Sequence, residues 1–285
     1  ILWFAISIPI TIFVISVDYS LIAKISPFLY IIMLGLLIGV LFTKPINGAT
    51  SWYIMGSVSF QPSEFAKICV ILSLALTIVK VQKGVKEQIS NPIQLLKCLL
   101  VVMIPVLLII KQPDYGTAIA FFIATALILI VAGIDKKYII GAIILVAVAL
   151  PLLYFFVLPS HAKTRIDVFL NPNLDPRGSG YNVLQSKLAI GSGKLFGMGI
   201  KNGSQTQLGY LYPQTTDFIY SAIGEEMGFI IAALVIVLYL ILITKAIYIA
   251  KTARDDLGSY ISAGIAGIFL FHMVENIGMT MGLLP

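Results

Sequence analysis

Charged residues, histidine and cysteine are all scarce in this sequence. Asp, Glu, Lys and Arg make up 11% of its 285 residues, whereas a soluble domain carries about 25%. The two histidines stand apart, and no Cys/His spacing typical of a zinc site occurs. Cys69 and Cys98 fall toward opposite ends of successive apolar runs, so we predict no disulfide between them. The composition therefore excludes an ordinary soluble domain, and the spacings argue against a zinc-bound or disulfide-stabilised fold.

Apolar residues dominate the chain instead. Hydrophobic residues make up 59% of it, and the mean hydropathy is +1.00. Apolar runs of about 17–25 residues recur, and each is long enough to cross the hydrocarbon core of a bilayer. We therefore predict an all-α, polytopic membrane helical bundle with eight visible spans. The predicted spans are 1–17, 26–43, 64–81, 93–110, 116–132, 138–157, 228–250 and 259–282.

Both ends of the chain fall inside or beside apolar runs. Ile1 lies within the first run, and Pro285 follows directly after the last one. The first run has no basic leading region and no small-residue cleavage site, which favours a membrane span over a signal peptide. We expect that both ends are cut relative to a longer protein.

Basic residues set the predicted orientation in the membrane. Short loops on the cytoplasmic side of membrane proteins are enriched in Lys and Arg. With 18–25 placed in the cytoplasm, the connection 158–227 becomes a long extracytoplasmic loop, and the positive charge contacts anionic lipids. Nucleic acid binding would need a clustered basic face with stacking aromatic residues, and the sequence has no such cluster. Predicted inside are Lys24, Lys80, Lys83, Lys86, Lys136, Lys137, Lys245, Lys251 and Arg254; predicted outside are Lys44, Lys67 and Lys111.

This topology predicts three segments. Residues 1–157 form a six-span membrane region, 158–227 form an extracytoplasmic loop with short interfacial helices, and 228–285 form a two-span region. A loop as long as 158–227 is expected to have internal structure and a function. Within it, the apolar spacing of 181–190 predicts a short helix on the membrane surface, closed by Gly191.

The stretch GSGKLFGMGIKNG, residues 191–203, invites comparison with a phosphate-binding loop. Leu188 stands where the Walker motif needs its first glycine, and Leu195 stands where it needs Ser or Thr. No strand is expected before the stretch. We therefore predict a tight glycine-rich turn against the bilayer in place of a nucleotide site.

Several acids lie at the ends of spans, where carboxylates are costly and are candidates for function. Asp217 directly precedes a long apolar helix. Glu225 and Glu226 lie two turns further on, where one could line a cavity and the other cap a helix or pair with a loop cation. For Glu225 and Glu226, the sequence favours a structural role and a functional role equally. Glu275 lies within the last span, which predicts a buried carboxylate in a polar cavity.

Three other candidates lie at the starts of predicted helices. Glu64 and Lys67 share one helical face just after Pro62, so they form either a self-neutralising ion pair or part of a site. Asp114 begins another span, where a helix N-cap is the alternative interpretation. Among the loop cations, Arg165 and Lys187 are the better candidates for binding a pyrophosphate. Lys163, Arg177, Lys194 and Lys201 are assigned to a solvated face.

Four stretches together resemble the SEDS family of bacterial cell-wall proteins, that of RodA, FtsW and SpoVE. They are GATSWYIMGSVSFQPSEFAK, KQPDYGTA, the block from LNPNLDPRGSGY to SAIGEEMGF, and ENIGMTMGLLP, in family order. GSQTQLGYL and NIGMTMGLLP are more similar to the RodA branch. The family has ten spans, so the resemblance implies one further helix before Ile1 and one after Pro285.

The resemblance implies a peptidoglycan glycosyltransferase. Members polymerise lipid II into glycan strands on the outer face of the cytoplasmic membrane, beside a class B penicillin-binding protein. The essential aspartate of the family's TDFI motif corresponds to Asp217. Its polar cavity residues correspond to Glu64, Lys67 and Asp114, and its loop tryptophan corresponds to Trp52. Glu226 and Glu275 are added as candidate substrate contacts.

The implied chemistry needs a base and positive charge. Asp217 is suited to take the proton from the acceptor sugar hydroxyl. The leaving pyrophosphate needs cations, from Arg165, Lys67, Lys187, or a bound Mg²⁺ or other divalent ion. Two alternatives stay open: a lipid II transporter, and a non-catalytic scaffold for the transpeptidase.

Overall fold

The structure is a computed structural model that describes residues 2–45, 48–56, 58–82, 89–157, 160–170, 179–211 and 216–284. It is 78% helix and 3% strand, which confirms the predicted helical class. Lys83, Lys86 and Arg177, used above, lie outside the described residues. The helices are α1 Leu2–Ser16, α2 Tyr19–Val40, α3 Pro62–Val81, α4 Pro92–Lys111, α5 Tyr115–Val131, α6 Lys136–Leu152 with a π-helical turn Leu153–Val157, α7 Ser160–Leu170, α8 Ser179–Ser192, α9 Ser204–Gln207, α10 Ile219–Thr252 and α11 Asp256–Thr280; the strands are β1 Tyr53–Met55 and β2 Val58–Phe60.

Each of the eight predicted spans falls on a helix. By length and apolar composition, five helices of the described ranges can cross a membrane, and two shorter ones are also apolar. Predicted span 64–81 is helix α3, in which 12 of 20 residues are buried within the fold. The chain is therefore a multi-pass membrane protein. The five are Tyr19–Val40, Pro92–Lys111, Lys136–Phe156, Ile219–Thr252 and Asp256–Thr280; the shorter two are Phe4–Ser16 and Tyr115–Val131.

Local sequence signals set several helix starts. The Asp18 side chain caps α2 by accepting the backbone N–H of Ser20 at 2.8 Å. That hydrogen bond lowers the pKa of Asp18, because it favours the charged carboxylate. Asn91 caps α4 in the same way, and a proline occupies the first turn of both α3 and α4. Proline is tolerated there because the first helical N–H groups have no partner within the helix.

A short hairpin interrupts the helical pattern. Strands β1 and β2 pair antiparallel, with Tyr53 opposite Phe60 and Met55 opposite Val58. Gly56 has a φ of +64°, which a glycine adopts without steric cost at a tight turn. The sequence prediction contained no strand here, although Gly-Ser between YIM and VSF is a recognised hairpin signal.

The chain forms two compact units. Unit 1 comprises Ile1–Lys136 and Lys245–Ile268, and unit 2 comprises Lys137–Thr244 and Phe269–Pro285. In unit 1, α3 packs against α2, α4 and α5. A buried polar chain also crosses this unit: Tyr260 donates to Gln82 at 2.6 Å, and Gln82 donates to the carbonyl of Ala132 at 2.9 Å.

Glycines allow close helix contacts in unit 1. A Cβ atom on Gly267 of α11 would lie 2.7 Å from the Cα atom of Ala124 on α5. Small residues at such contacts let two helix backbones approach closely, which is the usual way that helices pack in membranes.

We expect Gly267→Ala to lower the free energy of unfolding by about 1–3 kcal/mol, the usual cost of overpacking a core. The neighbouring atom is backbone, so α5 or α11 must shift. Gly35→Ala on α2 is the matched control, because nothing lies within 4 Å of its new methyl group. Thermal unfolding in detergent compares the two, and equal midpoints would contradict the close contact.

Unit 2 is organised by α8, α9, the first turns of α10 and the end of α11. Ala189, Leu211 and Phe218 form a small buried cluster. The hydroxyls of Ser186 and Ser221 lie 2.6 Å apart, and Ser186 donates to the carbonyl of Thr280 at 2.6 Å. Buried hydrogen bonds between side chains thus join α8 to the first turn of α10.

Candidate functional site

The first polar group of unit 1 lies at the start of α3. Lys67 Nζ lies 2.9 Å from Glu64 Oε1, the ion pair that one of the two interpretations predicted. The Lys67 side chain is 4% exposed, whereas that of Glu64 is 50% exposed. Lys67 also lines a small cavity whose other walls are mostly apolar, including Val70 and Phe121. The carboxylate of Glu64 is therefore the accessible half of the pair.

Asp114 is the N-cap of α5, as one of the two interpretations predicted. One carboxylate oxygen accepts the backbone N–H of Thr117 at 3.2 Å, and the other accepts the Gln61 amide at 2.9 Å. Gln61 directly precedes α3, so this contact joins the starts of two helices. Trp52 precedes β1, is partly exposed, and accepts a hydrogen bond on its carbonyl from Thr43.

Two buried side-chain oxygens of unit 1 have no hydrogen-bond partner within the described ranges. They are Ser63 Oγ at the start of α3 and Gln112 Oε1 at the end of α4. Gln112 is held by its amide, which donates to the carbonyl of Leu37 at 3.1 Å. An unpaired buried oxygen costs free energy, so each would gain from a water molecule or a polar ligand group. Neither residue was singled out in the sequence, because their burial depends on distant segments.

Asp217 of unit 2 lies in a turn, Thr216–Phe218, immediately before α10. Phe218 packs in the buried cluster, while the Asp217 side chain is exposed. The N–H of Ile219 donates to the carbonyl of Thr216. In the next turn, the N–H of Ser221 donates to the carbonyl of Phe218, and the Ser221 hydroxyl lies 2.6 Å from that of Ser186. The Asp217 carboxylate is therefore exposed on a turn that precedes the first part of α10, residues 219–227, ahead of the kink at Gly228 and the apolar part of the helix.

Glu225 and Glu226 both hold the short helix α9. Glu225 is fully buried, and its two oxygens accept the backbone N–H groups of Gln205 at 2.8 Å and Thr206 at 3.0 Å. Glu226 accepts from the hydroxyl of Thr206 at 3.3 Å and from the Gln207 amide at 3.1 Å. Glu225 therefore caps α9, because it occupies the helix end where N–H groups lack partners.

We expect Glu225→Gln to lower the free energy of unfolding by about 1–3 kcal/mol, because an amide NH₂ would face a buried N–H donor. Glu226→Gln is the matched control. Its partners are side chains that can rotate, so the loss should be clearly smaller. Thermal unfolding in detergent measures both, and an equal loss would contradict a capping role specific to Glu225.

The glycine-rich stretch 193–201, here called the glycine loop, packs on a kink in α10. The kink is at Gly228, with φ +80° and ψ 179°. The N–H groups of Met198 and Gly199 donate to the carbonyls of Glu225 and Glu226, at 2.9 and 3.0 Å. The N–H of Phe229 donates to the carbonyl of Lys194 at 2.9 Å. The N–H groups of Met198 and Gly199 are thus hydrogen-bonded to α10. This favours the predicted packed turn and argues against a phosphate-binding loop.

The other candidates of unit 2 lie on separate elements. Lys187 is exposed on α8 and reaches over Gly282, where an added Cβ atom would lie 2.6 Å from its Nζ atom. Glu275 lies 3.6 Å from His272 Nδ1. The prediction that Glu275 is buried was wrong: its side chain lies beside His272 and is 36% exposed. Arg165 lies on α7, but its side chain is outside the described residues.

The side chains that could bind a metal ion do not cluster in the part of the chain that the structure describes. Across the described ranges, no three His, Cys, Asp or Glu side chains are close enough to hold a metal ion together. Cys69 and Cys98 are both free, and both are buried.

The chain is similar to known proteins along most of its length. A family model described as a cell cycle protein, for FtsW, RodA and SpoVE, matches residues 1–285. The peptidoglycan glycosyltransferase MrdB of Escherichia coli (strain K12) is 37% identical over 91% of this chain and 69% of that protein. The peptidoglycan glycosyltransferase RodA of Treponema pallidum is 30% identical over 86% of this chain and 72% of that protein.

Two solved structures have the same fold. A chain from a peptidoglycan synthase complex superposes with a TM-score of 0.79 at 23% identity, covering 99% of this chain and 78% of that one. The crystal structure of RodA from Thermus thermophilus gives a TM-score of 0.65 at 23% identity, covering 94% of this chain and 70% of that one.

Proposed function

The chain belongs to the FtsW, RodA and SpoVE family of cell cycle proteins, and on that premise we infer that it is a peptidoglycan glycosyltransferase. We propose that it polymerises lipid II into glycan strands, with Asp217 as the general base. The observation that supports this assignment is the placement of Asp217. Its carboxylate is exposed on the turn that precedes α10, and we propose that the head group of a lipid-linked sugar reaches it there, ahead of the Gly228 kink and the apolar part of the helix.

The proposed reaction transfers a glycan chain between two lipid-anchored substrates. The 4-hydroxyl oxygen of the lipid II sugar attacks the anomeric carbon of the chain held on undecaprenyl pyrophosphate. A new glycosidic C–O bond forms, and the bond from the anomeric carbon to the phosphate oxygen breaks. The pyrophosphate leaves with the electron pair, and Asp217 takes the hydroxyl proton.

Positive charge is needed where the pyrophosphate departs, because negative charge develops there. We propose Lys187 and Arg165 for this role, together with Lys67. Lys187 is exposed and its ammonium lies beside the turn at Gly282. Where a divalent cation takes part, it would supply further positive charge to the leaving pyrophosphate.

The polar residues of unit 1 are proposed to contact the sugars. Glu64 offers a half-exposed carboxylate whose charge is balanced by the buried Lys67. Asp114 holds Gln61 at the start of α3, and Trp52 offers a partly exposed ring. In unit 2, Glu226 and Glu275 are the further proposed contacts. Aromatic rings and carboxylates are groups that bind sugar faces and hydroxyls.

We place the reaction on the outer face of the bacterial cytoplasmic membrane. The distribution of basic residues favours that orientation for the loop 158–227. The proposed partners are a class B penicillin-binding protein, which would cross-link the nascent glycan strand, and anionic membrane lipids. The family fold found in a peptidoglycan synthase complex agrees with such a partner.

The test uses the purified protein with its transpeptidase partner in liposomes that contain labelled lipid II. We expect glycan strands, separated by length on a gel. Movement of lipid II across the bilayer without strand formation would favour the transporter. Absence of both activities, with intact binding of the transpeptidase, would favour the scaffold.

A further inference from the structure

The glycine loop carries a row of exposed apolar side chains. Leu195 is 57% exposed, Phe196 is 80% exposed and Ile200 is 65% exposed, and Met198 lies among them, also exposed. Contiguous apolar surface of this kind marks contact with a protein or a membrane. None of these side chains has a role in the proposed reaction.

The loop cannot turn these side chains inward. Its backbone is fixed to α10 by four hydrogen bonds, which join Met198 to Glu225, Gly199 to Glu226, and Lys194 and Leu195 to Phe229 and Ile230. At Gly193 an added Cβ atom would lie 1.9 Å from the carbonyl oxygen of Gly224, so the loop is already in close backbone contact. The apolar row is therefore a fixed surface.

The same hydrogen bonds place the loop beside the start of the apolar part of α10. They place it beside Phe229 and Ile230, where the apolar part of α10 begins after the Gly228 kink. Both side chains are exposed, as is Leu234 one turn further along the span. The apolar row thus continues the exposed apolar surface of α10.

We propose that Leu195, Phe196, Met198 and Ile200 insert among the acyl chains of the leaflet in which this end of α10 lies. Lys194 and Lys201 stand at the two ends of the row, and both are exposed. Lysines in such positions reach to the phosphate level while their stems stay in apolar surroundings. They also complement anionic lipids. Continuity with the span and the flanking lysines favour lipid over a protein occupant.

The experiment measures the depth of a spin label in the full protein, reconstituted in vesicles of phosphatidylcholine and phosphatidylglycerol. Phe196→Cys carries the nitroxide. Val237→Cys in the span is the lipid reference, and Arg254→Cys between α10 and α11 is the water reference. Protein without an introduced cysteine gives the background from the buried Cys69 and Cys98. Collisions with oxygen report lipid, and collisions with a water-soluble nickel chelate report water.

We expect the ratio of oxygen to nickel collisions at position 196 to approach that at 237 and to be the reverse of that at 254. A ratio like that at 254 would overturn the proposal. Protection from both reagents would also overturn it, because a protein surface would then cover the loop. Failure of strand synthesis would not affect these readouts, so the two proposals fail separately.

Discussion

Replacing Asp217 with Asn is expected to slow glycan strand formation by roughly 10²–10⁴-fold, the usual contribution of general-base catalysis. The amide keeps the size and polarity of the side chain but cannot accept the hydroxyl proton. Because Asp217 is exposed on a turn, the change should leave the unfolding midpoint unaltered. The initial rate of strand formation from labelled lipid II measures the effect.

Asp217→Glu is the matched variant for this prediction. It keeps a carboxylate and displaces it by one methylene, so we expect activity between those of the wild type and Asp217→Asn. A Glu variant as inactive as the Asn variant, with both folded, would contradict this expectation and show that a carboxylate displaced by one methylene cannot replace Asp217.

Replacing Gly197 with Ala is expected to detach the glycine loop from α10. Gly197 has a φ of +83°, and a Cβ atom there would lie 2.2 Å from the carbonyl oxygen of Glu226. The left-handed backbone costs about 1–2 kcal/mol for a residue with a side chain. Loss of the hydrogen bonds of Met198 and Gly199 adds to this, so we expect a total of roughly 3–5 kcal/mol.

Gly191→Ala is the control, because Gly191 lies in α8 and nothing is within 4 Å of its added methyl group. Alanine there should be neutral or stabilising, since glycine weakens a helix by up to about 1 kcal/mol. Thermal unfolding and tryptic cleavage at the exposed Lys194 and Lys201 compare the variants. Equal midpoints and equal cleavage would contradict the docking of the loop on the kink.

Local signals in the sequence predicted the features that depend on neighbouring residues. Pro62 marks the first turn of α3, Asp114 caps α5, and Glu64 pairs with Lys67 one turn away. Each of these depends on groups within three residues in the chain, so spacing alone is informative. The helix over 181–190 also follows from its apolar spacing, although α8 begins earlier, at Ser179.

Contacts between distant segments were not predictable in the same way. The roles of Glu225 and Glu226 stayed open, because the backbone N–H groups that donate hydrogen bonds to Glu225 lie about twenty residues upstream. The predicted span 228–250 begins at the Gly228 kink, where the apolar part of α10 starts, but the sequence did not predict the helical segment 219–227 that precedes it. In that segment, Glu225 and Glu226 accept hydrogen bonds from α9. The bond between Ser186 and Ser221 joins residues 35 apart in the chain.

The proton-accepting role of Asp217 is tested most directly by the rate of strand formation measured against lipid II concentration, for the wild type and Asp217→Asn. A base acts on the chemical step, so we predict a large fall in kcat with KM nearly unchanged. The opposite pattern, with kcat retained and KM raised, would show that Asp217 only binds substrate and would contradict the account.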